Sequence, residues 1–402
     1  MAKAMYIGVD SKARKVKKMY VGVDGKARKV KKAYIGVDGK ARCFYKTEFQ
    51  KTGTTTSSMN VIHKPACSIQ GYAVLTGGTS TIVAQNTPKM EAISSNLTKT
   101  SITTSIASYN LDNTVTVGGT KGMFYTGSSV TFDVISTNLT KSQHKLTQMS
   151  TIYGGASGNT HALFRGRSTG NALCVIGVNS NLVETNYVVT TAQMPVGDNQ
   201  VGASGVSINN STFIAIGGNY TYQFLLFDND TLTYTSRITP SFYSTIGSND
   251  QIGGYQMEAH PTRALITNCT RALTQVISGQ YYTSNLYAPY IYTFTEAGVE
   301  STRISHGMTA SNGTAAGDYA KGSNSDGTVL VGGCAFGYGN SPIKTVKFLD
   351  RNLALSSLED YSQAQSQGTG VRIGGTGKIA IAGGFLGGNG DTAYSNLITV
   401  YE

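Results

Sequence analysis

The most constraining feature of this chain is a degenerate repeat: an apolar strand closing on Gly-Gly, or on a replacement for it, occurs seven times. The clear copies span 72–78, 114–119, 212–218, 328–333 and 378–384, and weaker ones span 161–166 and 263–268. After most of them comes a second apolar strand that ends in a polar turn and a leucine. These turns are Ser95-Asn96-Leu97, Thr137-Asn138-Leu139, Ser180-Asn181-Leu182, Asn229-Asp230-Thr231-Leu232 and Arg351-Asn352-Leu353, with Glu296-Ala297-Gly298-Val299 in the equivalent place of one unit. Successive turns lie 42, 43, 49, 66 and 56 residues apart, which brackets the period of four-stranded propeller blades. A blade cannot bury both faces alone, so seven must stack in a ring. The repeat therefore predicts an all-β fold over 52–402, a β-propeller of seven blades.

The end of the chain predicts how the ring closes. The last unit stops at 396–402, one strand short of the others. A segment ahead of the first Gly-Gly, within 43–69, is expected to pair there and cover the open edge. Composition agrees with an all-β chain: 48 Gly, 24 Tyr and no Trp exclude a long coiled coil. No apolar run reaches the about 18 residues a membrane helix needs, so no membrane partner is expected.

The net charge of +11 has a location. Residues 1–51 hold 15 Lys and Arg against Asp10, Asp24, Asp38 and Glu48, and the other 351 residues are neutral. A basic-surface argument applies to that segment alone. The same segment carries three copies of a 14-residue unit starting at Tyr6, Tyr20 and Tyr34. Asp24-Gly25 and Asp38-Gly39 sit between β-favouring residues, a strong hairpin signal. The expected object is a basic β-meander of three units, or smaller hairpins if a second turn lies near Lys17-Lys18. The candidate attachment residues are Lys12, Arg14, Lys15, Lys17, Lys18, Lys26, Arg28, Lys29, Lys31, Lys32, Lys40 and Arg42. They suit phosphate backbones, anionic wall polymers or an acidic patch on a protein. Repetition of Tyr, Ile/Val and Gly along with Lys means that strand geometry matters, which favours protein docking. Single-stranded nucleic acid would need more aromatic rings among the charges, and no specific nucleic-acid partner is expected.

Cys43, Cys67, Cys174, Cys269 and Cys334 form no CxxC pair and show no metal-ligand spacing. Cys174 and Cys334 lie in or beside apolar strand-like runs, as small core residues do. The start lacks the apolar region of a secretion signal, so folding in a reducing cytoplasm is expected. Export would then follow another route, such as release by lysis inside a larger particle.

The Gly-Gly strand ends at this spacing resemble Kelch-type β-propellers over about residues 55 to 402, although the Tyr and Trp positions usual in that family are not met. The pattern of 6–42, YIGVDSKARKVKKMYVGVDGKARKVKKAYIGVDGKAR, resembles repeats at the start of structural proteins of tailed bacteriophages and prophages. That resemblance implies a virion component assembled in the bacterial cytoplasm in multiple copies. Its place would be the tail or baseplate periphery, or a head-associated fibre, and its partners other phage structural proteins.

Little in the chain points to catalysis. The five histidines, His63, His144, His161, His260 and His306, form no HExxH or HxH pattern, so no metal site and no cofactor is expected. No Gly-x-Ser-x-Gly elbow occurs. The stretch 323–328 is the nearest approach to an Asp-box, but with a single copy and no closing Trp it is an Asp-Gly hairpin turn. The glycine-rich 374–377 and 383–388 lack the Lys-Ser/Thr of a phosphate loop and are expected to be blade turns.

One further segment, 280–290, lies in the longest unit, where an inserted loop would project from the ring. Tyr281, Tyr282, Asn285 and Tyr287 have the composition of an adaptable recognition loop. The expectation is a non-enzymatic virion structural protein attached through 1–51 and displaying its propeller. The competing reading is a host-surface adhesin that binds cell-wall glycan, and a propeller hydrolase or lyase is a third.

Overall fold

A computed structural model describes residues 6–9, 12–15, 20–23, 26–29, 32–37, 40–46, 49–59, 66–76, 89–103, 113–126, 129–189, 203–216, 223–241, 251–253, 256–267, 270–277, 280–287, 290–309, 319–333, 342–365, 368–384, 386 and 395–402. The chain divides into two units, Met1–Gln50 and Lys51–Glu402.

In the first unit, each repeat copy contributes one antiparallel pair of strands. Strand β1 (Tyr6–Val9) pairs antiparallel with β2 (Lys12–Lys15), β3 (Tyr20–Val23) with β4 (Lys26–Lys29), and β5 (Lys32–Val37) with β6 (Lys40–Lys46). The last pairs of the three ladders are Val9↔Lys12, Val23↔Lys26 and Val37↔Lys40. The three hairpins are separate two-stranded sheets, so of the two arrangements open from sequence the structure has the smaller hairpins.

The second unit is a seven-bladed β-propeller, and every named element in it is a strand. Blade 1 is β8 (Ala66–Ile69), β9 (Tyr72–Thr76), β10 (Lys89–Ser94) and β11 (Lys99–Thr103). Blade 2 is β12 (Asn113–Val117), β13 (Lys121–Tyr125), β14 (Thr131–Ser136) and β15 (Lys141–Lys145). Blade 3 is β16 (Met149–Ala156), β17 (His161–Ser168), β18 (Leu173–Asn179) and β19 (Glu184–Val188). Blade 4 is β20 (Ala203–Ile208), β21 (Ser211–Ile216), β22 (Gln223–Asp228) and β23 (Thr233–Ile238). Blade 5 is β25 (Gln256–His260), β26 (Arg263–Thr267), β29 (Tyr290–Phe294) and β30 (Glu300–Ser305). Blade 6 is β31 (Ala320–Ser323), β32 (Gly327–Val331), β33 (Val346–Asp350) and β34 (Leu355–Ser357). Blade 7 is β35 (Thr369–Arg372), β36 (Ile379–Ala382), β37 (Leu397–Tyr401) and, as its outermost strand, β7 (Lys51–Thr56). A separate sheet of β24 (Gln251–Gly253), β27 (Thr270–Ile277) and β28 (Gln280–Tyr287) is inserted around blade 5.

β7 is the missing strand, and it comes from within 43–69. It runs antiparallel to β37, from Leu397↔Thr56 to Tyr401↔Lys51. Lys51, counted with the basic segment from sequence, is the first residue of this closing strand. Beyond it, the Ser57 amide donates to the Asn396 carbonyl at 2.7 Å, and the amide and hydroxyl of Ser58 donate to Glu91 Oε1 at 3.3 and 3.1 Å.

The second strand of each blade is the most apolar because it is buried on both sides. Leu163, Ile214, Leu265, Leu330 and Ile381, all on second strands, are completely buried. The apolar clusters lie between blades: Val134 of blade 2 packs with Phe164 and Ile176 of blade 3, and Phe224 of blade 4 with Ile266 and Phe294 of blade 5. Six of the seven repeat copies found in the sequence are these second strands. The copy at 114–119 is not. It is the innermost strand of blade 2, because Gly118 and Gly119, at φ 58° and 61°, form the turn into β13.

The leucine after each polar turn has an unexpected conformation. Leu97, Leu139, Leu182, Leu232 and Leu353 all have φ between 55° and 67°, a region that costs a residue with a Cβ roughly 1–2 kcal/mol. Each packs toward the apolar cluster shared with the preceding blade. Leu232 lies over Gly177, where an added Cβ would meet its methyl carbons at 2.8 and 3.0 Å. In blade 5 the residue is Gly298, at φ 79°, and Ile238 of blade 4 fills the space: a Cβ on Gly298 would lie 2.4 Å from Ile238 Cδ1.

At the end of the ring where first strands turn into second strands, hydrogen bonds join every pair of neighbouring blades. Gln70 N donates to Gly119 O, Gly118 N to Gly158 O, and Asn159 Nδ2 to Asn209 O. Asn209 Nδ2 donates to Glu296, Asn324 Nδ2 to Gly377 O, and Gly71 N to Gly374 O. Between blades 5 and 6 the link is His260, whose Nδ1 accepts from the Thr262 amide, so that Nε2–H donates to Asp350 O at 3.0 Å. Burial, above all, lowers the His260 pKa, against the opposing pull of Asp350. The unfolded chain therefore takes up this proton first as pH falls below about 6.5. Stability is full above that pH and declines below it. His144, also lowered chiefly by burial, adds in the same direction. Urea midpoints measured from pH 7.5 to 5.5 should fall on acidification, with a shallower slope for His260→Gln.

Candidate functional site

The seven innermost strands converge on the axis, and at some positions their close approach leaves no room for a side chain. A Cβ on Gly205 would lie 2.4 Å from that of Ala156, and one on Gly370 would lie 2.0 Å from the Lys321 carbonyl oxygen. What remains is a cavity of about 510 Å³ at the short-turn end of the channel, with lining residues from all seven blades. Most of the lining is small and neutral, including Ser68, Thr116, Ser157, Ser207, Ser323 and Asn324.

Many of these polar groups are already engaged. Ser157 Oγ accepts from the Thr116 amide at 2.9 Å, and the Ser207 hydroxyl donates to the Ser157 carbonyl. Asn324 Oδ1 accepts from the amides of Asp326 and Gly327 at 2.8 and 3.1 Å. This is the hairpin turn expected at 323–328, and 374–377 likewise lies in the turn between β35 and β36. Cys67 lines the cavity as a buried thiol that burial pushes up to about 12, so it is an unreactive one. Cys174 is fully buried and pushed up to about 11, as a core residue. Cys334 lies outside the described residues.

The lining contains two charged side chains, Glu258 on β25 and Arg372 on β35. Burial holds the Glu258 carboxyl above the ordinary carboxylate range, even though the Lys321 charge and hydrogen bonds from Ser323 pull the other way. Arg372 donates Nε–H to the Thr376 carbonyl at 2.9 Å, and the rest of its guanidinium has no protein partner among the described residues. No ion pair within 4.0 Å joins Glu258 to Arg372. The cavity thus holds one acid, with the Lys321 charge and the Ser323 donors beside it, and one arginine.

The residues singled out in the sequence lie elsewhere. Lys12, Arg14 and Lys15 are on β2, Lys26, Arg28 and Lys29 on β4, Lys32 on β5, and Lys40 and Arg42 on β6. Lys17, Lys18 and Lys31 are outside the described residues. Tyr281, Tyr282, Asn285 and Tyr287 are on β28, opposite Val276, Gln275, Ala272 and Thr270 of β27. The expected projecting loop is therefore a hairpin of two eight-residue strands, consistent with the β preference of its Tyr and Thr residues. It connects β26 to β29, at the end of the ring opposite the short turns. The stretches between second and third strands are long in several blades, at 77–88, 268–289 and 383–396, and long connections on a rigid scaffold are where recognition concentrates. Among the described residues no group of three or more His, Cys, Asp and Glu side chains could hold a metal.

No protein-family model and no curated protein matches the chain. Solved structures do match. A streptogramin B lyase structure is 10% identical, with a TM-score of 0.50, over 87% of this chain and 96% of that one. Virginiamycin B lyase from Staphylococcus aureus is 11% identical, with a TM-score of 0.48, over 87% and 99%. The WD40 domain of Neurospora crassa Pan2 is 9% identical, with a TM-score of 0.48, over 88% and 94%. At such identity the first of these likenesses shows the β-propeller fold alone.

Proposed function

We propose that the protein is a non-enzymatic structural component of a phage or phage-like particle, attached through its basic hairpins and displaying the propeller outward. The observation that carries this reading is the division of labour in the chain. Ten of the eleven net positive charges belong to a unit built from three copies of one hairpin, while the propeller, at +1, is close to neutral. Isolated two-stranded hairpins are marginal in water, so such a unit gains order from a partner. Repeated strands with Lys and Arg offer pairing and electrostatics to an acidic face on another particle protein.

A second reading, a host-surface adhesin, is favoured by the Tyr-rich hairpin of β27 and β28 at the long-connection end. A pull-down from a phage-producing lysate separates the two. The first reading expects tail, baseplate or head proteins to be recovered by the full chain and not by residues 51–402. Recovery of none, with 51–402 binding whole cells through a surface lost in Tyr281→Ser/Tyr282→Ser, contradicts it in favour of the adhesin.

A further inference from the structure

We infer that the channel cavity binds a small zwitterion, a molecule of amino-acid to dipeptide size carrying an ammonium group and a carboxylate. The inference goes beyond the structural role and does not depend on it. Glu258 and Arg372 come from blades 5 and 7, either side of blade 6, and enter one cavity without pairing with each other. Its volume, about 510 Å³, exceeds what one bound water fills. The neutral hydroxyl and glycine lining from blades 1 to 4 leaves these two as the charged anchors.

Each anchor has unused capacity. The Glu258 carboxyl lines the cavity from β25, and although the Lys321 charge and the Ser323 donors lie beside it, burial still works against its ionised form, so an ammonium in the cavity gains a charge-assisted hydrogen bond there. Arg372 spends one donor on Thr376, and its planar fork suits a carboxylate. A pure cation or a pure anion would satisfy one anchor and leave the other as it is. A zwitterion satisfies both, and in a cavity with few charges each contact is weakly screened.

The test is calorimetric titration of the full chain with alanyl-alanine, beside the N-acetylated dipeptide, the C-terminal amide, glucosamine and glucuronate. The zwitterion should bind, and removing either of its charges should weaken binding about tenfold or more. Glu258→Gln should weaken alanyl-alanine to a similar extent while leaving the N-acetylated form unaffected. Arg372→Gln should do the same with respect to the amide. Melting temperatures of the unliganded variants, if close to that of the parent chain, show that the cavity is intact. Absence of heat with alanyl-alanine, or equal binding of the capped forms, overturns the proposal. So does tighter binding of glucosamine or glucuronate, each outcome pointing to a single-charge ligand instead.

Discussion

Leu232→Ala is expected to destabilise the propeller by about 2–5 kcal/mol, and Leu232→Gly by roughly 1–2 kcal/mol less than Leu232→Ala. In most buried sites glycine is the worse replacement, so the inverted order is the signature of this position. Both variants lose the side chain that lies over Gly177 and joins blade 4 to blade 3. Only alanine keeps a Cβ in the left-handed region, at φ 55°. The same logic runs in reverse at Gly298. Gly298→Leu places a side chain where Ile238 already sits and should destabilise, and Ile238→Ala in the same chain should recover part of the loss. Chemical denaturation of the four variants measures all of this. If glycine proves worse than alanine at 232, the left-handed leucine is not strained as described.

The second large effect concerns ring closure. Removing residues 1–46 should leave the melting temperature of the propeller unchanged, because β7 and the buried Phe49 stay in place. Removing 1–56 should lower it sharply and promote aggregation. That longer truncation strips the backbone hydrogen bonds to β37, each worth roughly 1 kcal/mol net, and exposes the edge of β37 to pairing with other chains. It also removes Gly53, where an added Cβ would lie 2.9 Å from Leu97 of blade 1, and the acceptor of the 2.6 Å hydrogen bond from Lys99 Nζ to Thr56 O. Calorimetry of the two truncations decides the point: equal melting temperatures would mean that β7 does not close the ring.

What the sequence shows of this fold is what depends on neighbours along the chain. Second strands stand out because they are buried on both sides and so form uninterrupted apolar runs. The Asp-Gly hairpins and the polar turns before Leu97, Leu139, Leu182, Leu232 and Leu353 also depend only on local backbone chemistry. The copy at 114–119 misleads because a Gly-Gly turn looks the same whether it follows a first or a second strand. The leucines at positive φ are hidden because burial against the preceding blade, a tertiary effect, outweighs the local preference for Gly or Asn. Glu258 and Arg372 are hidden for a related reason. They lie on strands of blades 5 and 7, and only closure of the ring by residues at the other end of the chain brings them to one axis. A pattern of small polar residues on the innermost strands, interrupted by an acid and an arginine, is the signal that could have revealed them.

In the proposed role the basic hairpins attach the protein while the propeller is displayed. The most direct test of that role is the protein content of phage particles assembled with a chain lacking residues 1–50, quantified by mass spectrometry against the major particle proteins. The expected particles lack the truncated chain, with folded propeller left free in the lysate. Particles that retain it at the full-length level would contradict that role.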